Sequence, residues 1–253
     1  MKKSISKYIL IGMITFGVTS CDLGDFGDTN VNPNQTTKAI PSSLLTNALT
    51  DPDFGIKTTI DATQGQLYSQ YLANSQYTSS DNYQTIIFDY GGYYRTVLMD
   101  LEQIIILNSN EETKVEASLY GSNENQIAVA QILQSYYFNF ITDRWGDIPY
   151  SQALDIAEGI RQPAFDAQLD VYAGILATLK SAQASLSSTA PVQGDVLFDG
   201  DMDMWKKFAN SIRMKMALRL SEVDPTKGAS EFASAISDGV IALDNSENIF
   251  YAN

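Results

Sequence analysis

The sequence predicts a mainly α protein of helix hairpins packed in sequence, on three observations. Apolar residues recur at steps of three and four through seven successive segments, helix start and stop residues punctuate those segments, and runs alternating every second residue are sparse. Pro41 suits a first helical position ahead of Leu44, Leu45, Ala48 and Leu49. A second helix is expected over Thr58 to Asn74 with Ile60, Leu67 and Tyr71 inward. A third runs over Tyr93 to Asn108 and carries Tyr94, Val97, Leu98, Leu101 and Ile105. In the fourth, Asn123 and Gln126 form a capping-box pattern before Ile127, Ala130, Leu133, Tyr137 and Phe140, and Gly146 with Pro149 ends it. The fifth, Asp166 to Leu186, places Tyr172, Ile175, Leu179, Ala182 and Leu186 at helical steps, with Asp166 and Asp170 at its start and Lys180 near its end, as the helix dipole prefers. A Ser/Thr/Pro loop, Ser187 to Pro191, and a short strand, Asp195 to Phe198, lead to a sixth helix over Asp203 to Ser221. That helix has Trp205, Phe208, Ile212 and Met216 on one stripe and is stopped by Asp224-Pro225. A seventh, Ala229 to Val240, is periodic through Phe232, Ile236 and Val240. The best remaining strand is Thr85 to Tyr90, and no regular 34-residue period joins the helix starts.

Composition narrows the function. The 253 residues are 44% hydrophobic and 18% charged, with 14 Tyr, 11 Phe and 2 Trp, which suits a folded chain of one or two domains. Thirty acidic residues against 16 basic ones give a net charge of -14, which repels a phosphate backbone, so nucleic acid is not an expected partner. There is no histidine, which excludes Ser-His-Asp and Cys-His relays and HExxH zinc sites. One cysteine, Cys21, excludes an intramolecular disulfide and a CxxC metal knuckle.

Residues 1–20 read as a secretory signal peptide: Lys2, Lys3 and Lys7, then an apolar stretch from Tyr8 to Thr19, then small residues before Cys21. The apolar stretch is well short of the roughly 20 residues that span a bilayer. Val18-Thr19-Ser20-Cys21 fits a bacterial lipoprotein box, in which Cys21 is acylated and becomes the first mature residue; the plainer reading is a secreted protein with one free thiol. Several acyl chains on one cysteine, at about 0.8 kcal/mol per buried methylene, make such an anchor effectively permanent. The acidic body then touches the membrane through its lipid anchor only. Residues 21–39 form a flexible tether rich in Gly, Asp and Asn, and residues 40–253 form the helical domain.

Three constellations carry candidate chemistry. Asp199-Gly200-Asp201-Met202-Asp203 resembles the opening of a calcium loop, but Met204 stands where a Gly is required and Asn210 where a bidentate Glu belongs. A turn at Gly200 with Asp201 as helix cap is the better reading, and no metal or other cofactor is expected. In Asp143-Arg144-Trp145-Gly146-Asp147-Ile148-Pro149-Tyr150, Asp143 and Asp147 offer a carboxylate pair for glycoside cleavage. The bland alternative is a helix stop in which Arg144 pairs with either acid and Trp145 packs underneath. Between Gln70 and Tyr94, six tyrosines and a phenylalanine are interleaved with amides, hydroxyls and carboxylates, the mixture a carbohydrate or peptide site uses. Tyr71 and Tyr94 point to the core by helical phase. Tyr77, Tyr83 and Tyr90, with Gln76 and Asn82 beside them, are the candidate ligand-binding residues.

The lipoprotein Cys21 with its acidic tether, Asn32-Pro33-Asn34, the Pro41/Leu44/Leu45 helix, the Asp143–Tyr150 segment, and Trp205-Lys206-Lys207-Phe208-Ala209-Asn210-Ser211 with Arg213 and Asp224-Pro225 together resemble the SusD/RagB family of outer-membrane nutrient-binding lipoproteins of Bacteroidota. The resemblance implies tetratricopeptide-like helix hairpins of the SusD-like fold, with few short strands. It further implies a protein facing the cell exterior that binds a glycan or oligopeptide and delivers it to a SusC-like TonB-dependent transporter without catalysis. Asp22, Asp25 and Asp28 would suit a surface-export signal. Within the family motifs, Arg144, Trp145, Gly146, Asp147, Pro149, Tyr150, Trp205, Phe208, Asn210 and Arg213 are expected to be structural. Family members are considerably longer, so the chain reads as a fragment without the C-terminal half. The rival functions are a lipid-anchored glycoside hydrolase and a helical scaffold without a small-molecule ligand.

Overall fold

A computed structural model describes residues 38–50, 65–83, 90–155, 159–242 and 245–247. The signal peptide, Cys21, the tether to residue 37, residues 58–64 of the expected second helix and residues 85–89 of the expected strand lie outside the described residues. In chain order the helices are α1 (Pro41–Thr50), α2 (Gly65–Tyr68), α3 (Gly91–Arg95), α4 (Val97–Ser109), α5 (Lys114–Ala117), α6 (Asn123–Trp145), α7 (Gln168–Ser185), α8 (Met202–Arg219) and α9 (Pro225–Asp238). Two-residue strands β1 (Ile148–Pro149) and β2 (Phe165–Asp166) pair antiparallel, Ile148 opposite Asp166 and Pro149 opposite Phe165.

The helices pack successively: α1 on α4, α4 on α6, α6 on α7, α7 on α8 and α8 on α9, with α6 also touching α8. This is the sequential helix pairing the apolar spacing predicts. The central helix α6 is buried on most of its circumference, at Ala128, Val129, Ile132, Leu133, Tyr137, Phe138 and Ile141, because helices cover it on several sides. The core continues through Leu45, Leu49, Leu98, Leu101, Ile175, Leu179, Trp205 and Met216.

Several elements differ from expectation for local reasons. Among the described residues the second helix is reduced to α2. Gln70 takes a left-handed φ of 62°, the N–H groups of Tyr71 and Leu72 turn back to the Gln66 carbonyl, and Tyr71 is 85% exposed rather than inward. The third helix is broken at Thr96, whose hydroxyl and N–H both bond the Gly92 carbonyl at 2.9 and 3.1 Å. The cap of α6 is Ser122, whose hydroxyl accepts from the Asn125 N–H, and not Asn123. Asn123 instead donates to Asn108 and to the Lys114 carbonyl, and Gln126 is buried, donating to the carbonyls of Ala117 and Gly121. Helix α7 starts after Asp166, because that residue is engaged in the strand pair. The expected strand from Asp195 is a run of turns, since the Asp195 carboxylate takes the N–H groups of Leu197, Phe198 and Gly200.

Asp224-Pro225 does more than end α8. Asp224 caps α9 by accepting from the Lys227 N–H, and Pro225 occupies its first turn, so the helix begins four residues earlier than its apolar period suggests. Its buried residues are Gly228 and Ala235, while Ile236 is half exposed. A Cβ on Gly228 would lie 2.9 Å from the Ala217 carbonyl oxygen, so the absence of a side chain lets α8 and α9 approach closely.

Candidate functional site

The exposed tyrosine loop is tied by two short polar side chains. The Asn74 side-chain oxygen accepts from the N–H groups of Gln76 and Tyr77 at 3.1 and 2.9 Å, and both Asp81 oxygens accept from the Asn74 N–H at 3.1 and 2.8 Å. A 3-10 turn, Thr78–Ser80, lies between them. Closing the backbone on itself leaves the side chains of Gln76, Tyr77, Asn82 and Tyr83 facing solvent, with Tyr77 and Tyr83 63% and 61% exposed. Tyr83 sits at a φ of 56°, a region bulky side chains avoid. Its hydroxyl donates to the Tyr68 carbonyl at 2.9 Å and its ring lies 5.2 Å from that of Tyr68, which fixes the direction of the exposed ring. The structure therefore brings four of the five candidate residues onto one loop. Asn74 and Asp81, the residues that build it, escape notice in the sequence because each is a single polar residue in a polar stretch.

Tyr90 belongs to a different cluster. It is half-buried, with its ring 5.1 Å from Trp145 and 5.9 Å from Tyr94. Tyr94 is half-buried too, and donates to the Pro149 carbonyl at 2.6 Å; burial pushes its phenol well above the ordinary range. The Arg144 guanidinium lies over Trp145 and Phe140, 5.4 and 6.0 Å from their ring centres.

The segment ending α6 serves packing. Gly146 takes a φ of 79° at the helix end and its N–H bonds the Thr142 carbonyl. The Asp147 carboxylate accepts from the Gln168 N–H at 3.0 Å, holding the first turn of α7. Pro149 is in β1, and the Tyr150 ring rests on Gly174, where any Cβ would come within 2.6 Å of it. The Tyr150 phenol is raised by burial. Asp166 accepts from the N–H groups of Tyr150 and Ser151 and from the Ser151 hydroxyl, which holds its carboxyl below the usual range. Asp143 pairs with Arg219 and accepts from the Tyr172 hydroxyl; burial first, then that carboxylate, pushes Tyr172 up to about 12. Asp143 and Asp147 are thus each committed to holding α7 or α8 against α6.

The second motif joins α8 to its neighbours. Trp205 is fully buried, donates to Asp195 at 2.7 Å and packs edge-on against Phe198 and Phe208. Asn210 donates to the carbonyls of Asp238 and Gly239. Arg213, fully buried, donates to Asn210, Asp238, Glu231 and Ser234, so one guanidinium fastens α9 to α8. In the calcium-like segment, Asp201 caps α8 through the N–H groups of Asp203 and Met204, and Asp203 pairs with Lys206. Among the described residues no three His, Cys, Asp or Glu side chains gather as a metal site would require, and no helix is long and apolar enough to cross a membrane.

Comparison with known proteins places this arrangement. The SusD-like family profile described as starch-binding and associating with the outer membrane matches residues 33–253. A chitin-binding protein of known structure is 25% identical, with a TM-score of 0.67, over 83% of this chain and 45% of its own. A SusD-like protein from Bacteroidetes AC2a is 27% identical, with a TM-score of 0.65, over 83% of this chain and 39% of its own. A SusD homolog from Parabacteroides distasonis ATCC 8503 is 26% identical, with a TM-score of 0.64, over 83% and 41%. The chain thus spans less than half the length of these structures. No curated protein matches the chain.

Proposed function

Because this chain belongs to the SusD-like family of starch-binding proteins associated with the outer membrane, we propose that it binds a glycan at the cell surface and delivers it to a SusC-like TonB-dependent transporter without breaking a bond. In this reading residues 1–20 are a signal peptide, Cys21 carries the lipid anchor, residues 21–39 are the tether and residues 40–253 are the helical body. The observation that carries the glycan-binding part is the tyrosine loop. Tyr83 is held in a left-handed conformation with its ring in solvent, and strain of that kind, typically about 1–3 kcal/mol, persists where the surroundings enforce it and function uses it. Flat rings at Tyr77 and Tyr83, flanked by the amides of Gln76 and Asn82, offer a sugar ring a stacking face and directional hydrogen bonds. The description of a structural relative as chitin-binding supports a glycan over a peptide. The engagement of Asp143 with Arg219 and of Asp147 with Gln168 favours binding over hydrolysis by that pair.

Affinity electrophoresis through gels containing starch or soluble chitin tests the reading. The wild type should be retarded by one of them, and Y77A/Y83A should run at least about tenfold less retarded at the same melting temperature, as loss of two aromatic anchors implies. Equal retardation of wild type and variant removes the loop from the function. For the transporter, the tagged protein captured from detergent-solubilised outer membranes of its host should bring a TonB-dependent barrel in near-equal amount.

A further inference from the structure

A half-open cavity of about 380 Å³ lies between α4, α6, α7 and the turn after β1, and it shares no residue with the tyrosine loop. We infer that it is a second binding site, for one neutral sugar residue. From the proposed function this takes only that the ligand is a glycan. The volume is at the small end of the roughly 300–1,000 Å³ usual for ligand pockets, room for about one or two sugar rings.

The lining is that of a polyol site. Ser135, buried at 3% exposure, lines this cavity and brings a hydroxyl to it. Gln131, one turn away on α6 and partly buried, brings a side-chain amide to the same wall. Glu102 from α4 is oriented by the Gln134 amide, which donates to one carboxylate oxygen at 2.9 Å, and the other oxygen is left to accept. The apolar wall is Phe138 with the Tyr150 ring at right angles to it, 5.0 Å away, a face for the C–H side of a pyranose.

The wall is also pre-formed. Gly174 leaves room for the Tyr150 ring, and Asp166 holds the backbone N–H groups of Tyr150 and Ser151. Leu154, at the rim, is fixed at a φ of 67°. Among the described residues no lysine or arginine lines the cavity, and Glu102 is its one charge. An anionic sugar is therefore disfavoured, and a neutral one can donate its hydroxyls to Glu102 while exchanging hydrogen bonds with Gln131 and Ser135.

The test is saturation-transfer NMR on the full 253-residue chain in detergent, titrated with glucose, N-acetylglucosamine and glucuronate. At least one neutral sugar should bind saturably, with glucuronate at least about tenfold weaker than that sugar. E102A should weaken that binding about tenfold or more and S135A severalfold, each with an unchanged melting temperature, because the first removes a charged acceptor and the second one hydroxyl. Q131A serves the same purpose on a partly exposed residue, with its melting temperature checked alongside. No binding of either neutral sugar by the folded wild type overturns the inference, as does wild-type binding by E102A and Q131A together or glucuronate binding as tightly as the neutral sugar. Binding lost in Y77A/Y83A and retained in the cavity variants places the sugar on the loop, which overturns this inference and leaves the proposed function standing.

Discussion

Removing the Asp195 carboxylate should loosen the entry to α8 more than any other single change in that region. In D195A four donors lose their acceptor at once: the N–H groups of Leu197, Phe198 and Gly200, each at 3.0 Å, and the Trp205 indole N–H at 2.7 Å. Asp195 is 7% exposed and Trp205 is fully buried, so water reaches the indole N–H poorly, whereas Phe198 and Gly200 are only partly buried and can be rehydrated. Each buried donor left unmade costs about 1–3 kcal/mol. With two of the four rescued by solvent, the expected loss is about 3–5 kcal/mol. For a domain of this size that corresponds to a fall in Tm of roughly 6–20 °C. D195N keeps the shape and one acceptor oxygen and should lose about half as much. W205F removes a single donor and should lose the least. Circular dichroism at 222 nm gives the melting curves, and tryptophan fluorescence reports the Trp205 environment. A D195A shift below about 2 °C, or D195N falling as far as D195A, would refute the reasoning that this carboxylate organises the turn.

Other consequences follow from the same packing. R213A removes the guanidinium that ties α9 to α8 and should cost about 2–4 kcal/mol in urea unfolding, through four lost hydrogen bonds and a buried cavity, while Glu231 and Asp238 keep contact with water. G174V drives a side chain into the Tyr150 ring and should lower stability by about 1–3 kcal/mol, with a change in the near-ultraviolet tyrosine signal. Asp166 has a lowered folded-state pKa, so its contribution is fully present above the unfolded carboxylate value and is lost as pH falls through the folded one. D166N should therefore flatten the decline of Tm on acidification below about pH 4, and melting curves at stepped pH measure it.

The helical class was legible because burial in α4, α7 and α8 has the period of a helix, and the helix-end residues Gly146, Asp201 and Pro225 act locally. What escaped depended on contacts distant in sequence or on competition for one donor. The Tyr71 ring has the right phase for a helix that the backbone leaves at Gln70. Ser122 and Asn123 are both good caps, and tertiary partners for Asn123 on α4 and at Lys114 decided between them. Asp195 to Phe198 reads as a strand by composition, and a single carboxylate turns it. In the candidate site, the clustering of tyrosines was visible as composition. The division between an exposed loop at Tyr77 and Tyr83 and a packed ring at Tyr90 was not, because Trp145, which Tyr90 meets, lies 55 positions away on α6. The cavity residues Glu102, Gln131 and Ser135 come from two helices, and no local pattern joins them.

The most direct test of a protein that binds a glycan without cleaving it is calorimetric titration with starch- and chitin-derived oligosaccharides, followed by chromatography of the same sample. Saturable heat with one oligosaccharide series, reduced in Y77A/Y83A, and an unchanged oligosaccharide profile after prolonged incubation is the predicted result. Shortened products that accumulate with time and vanish in D143N or D147N would contradict it and establish a hydrolase.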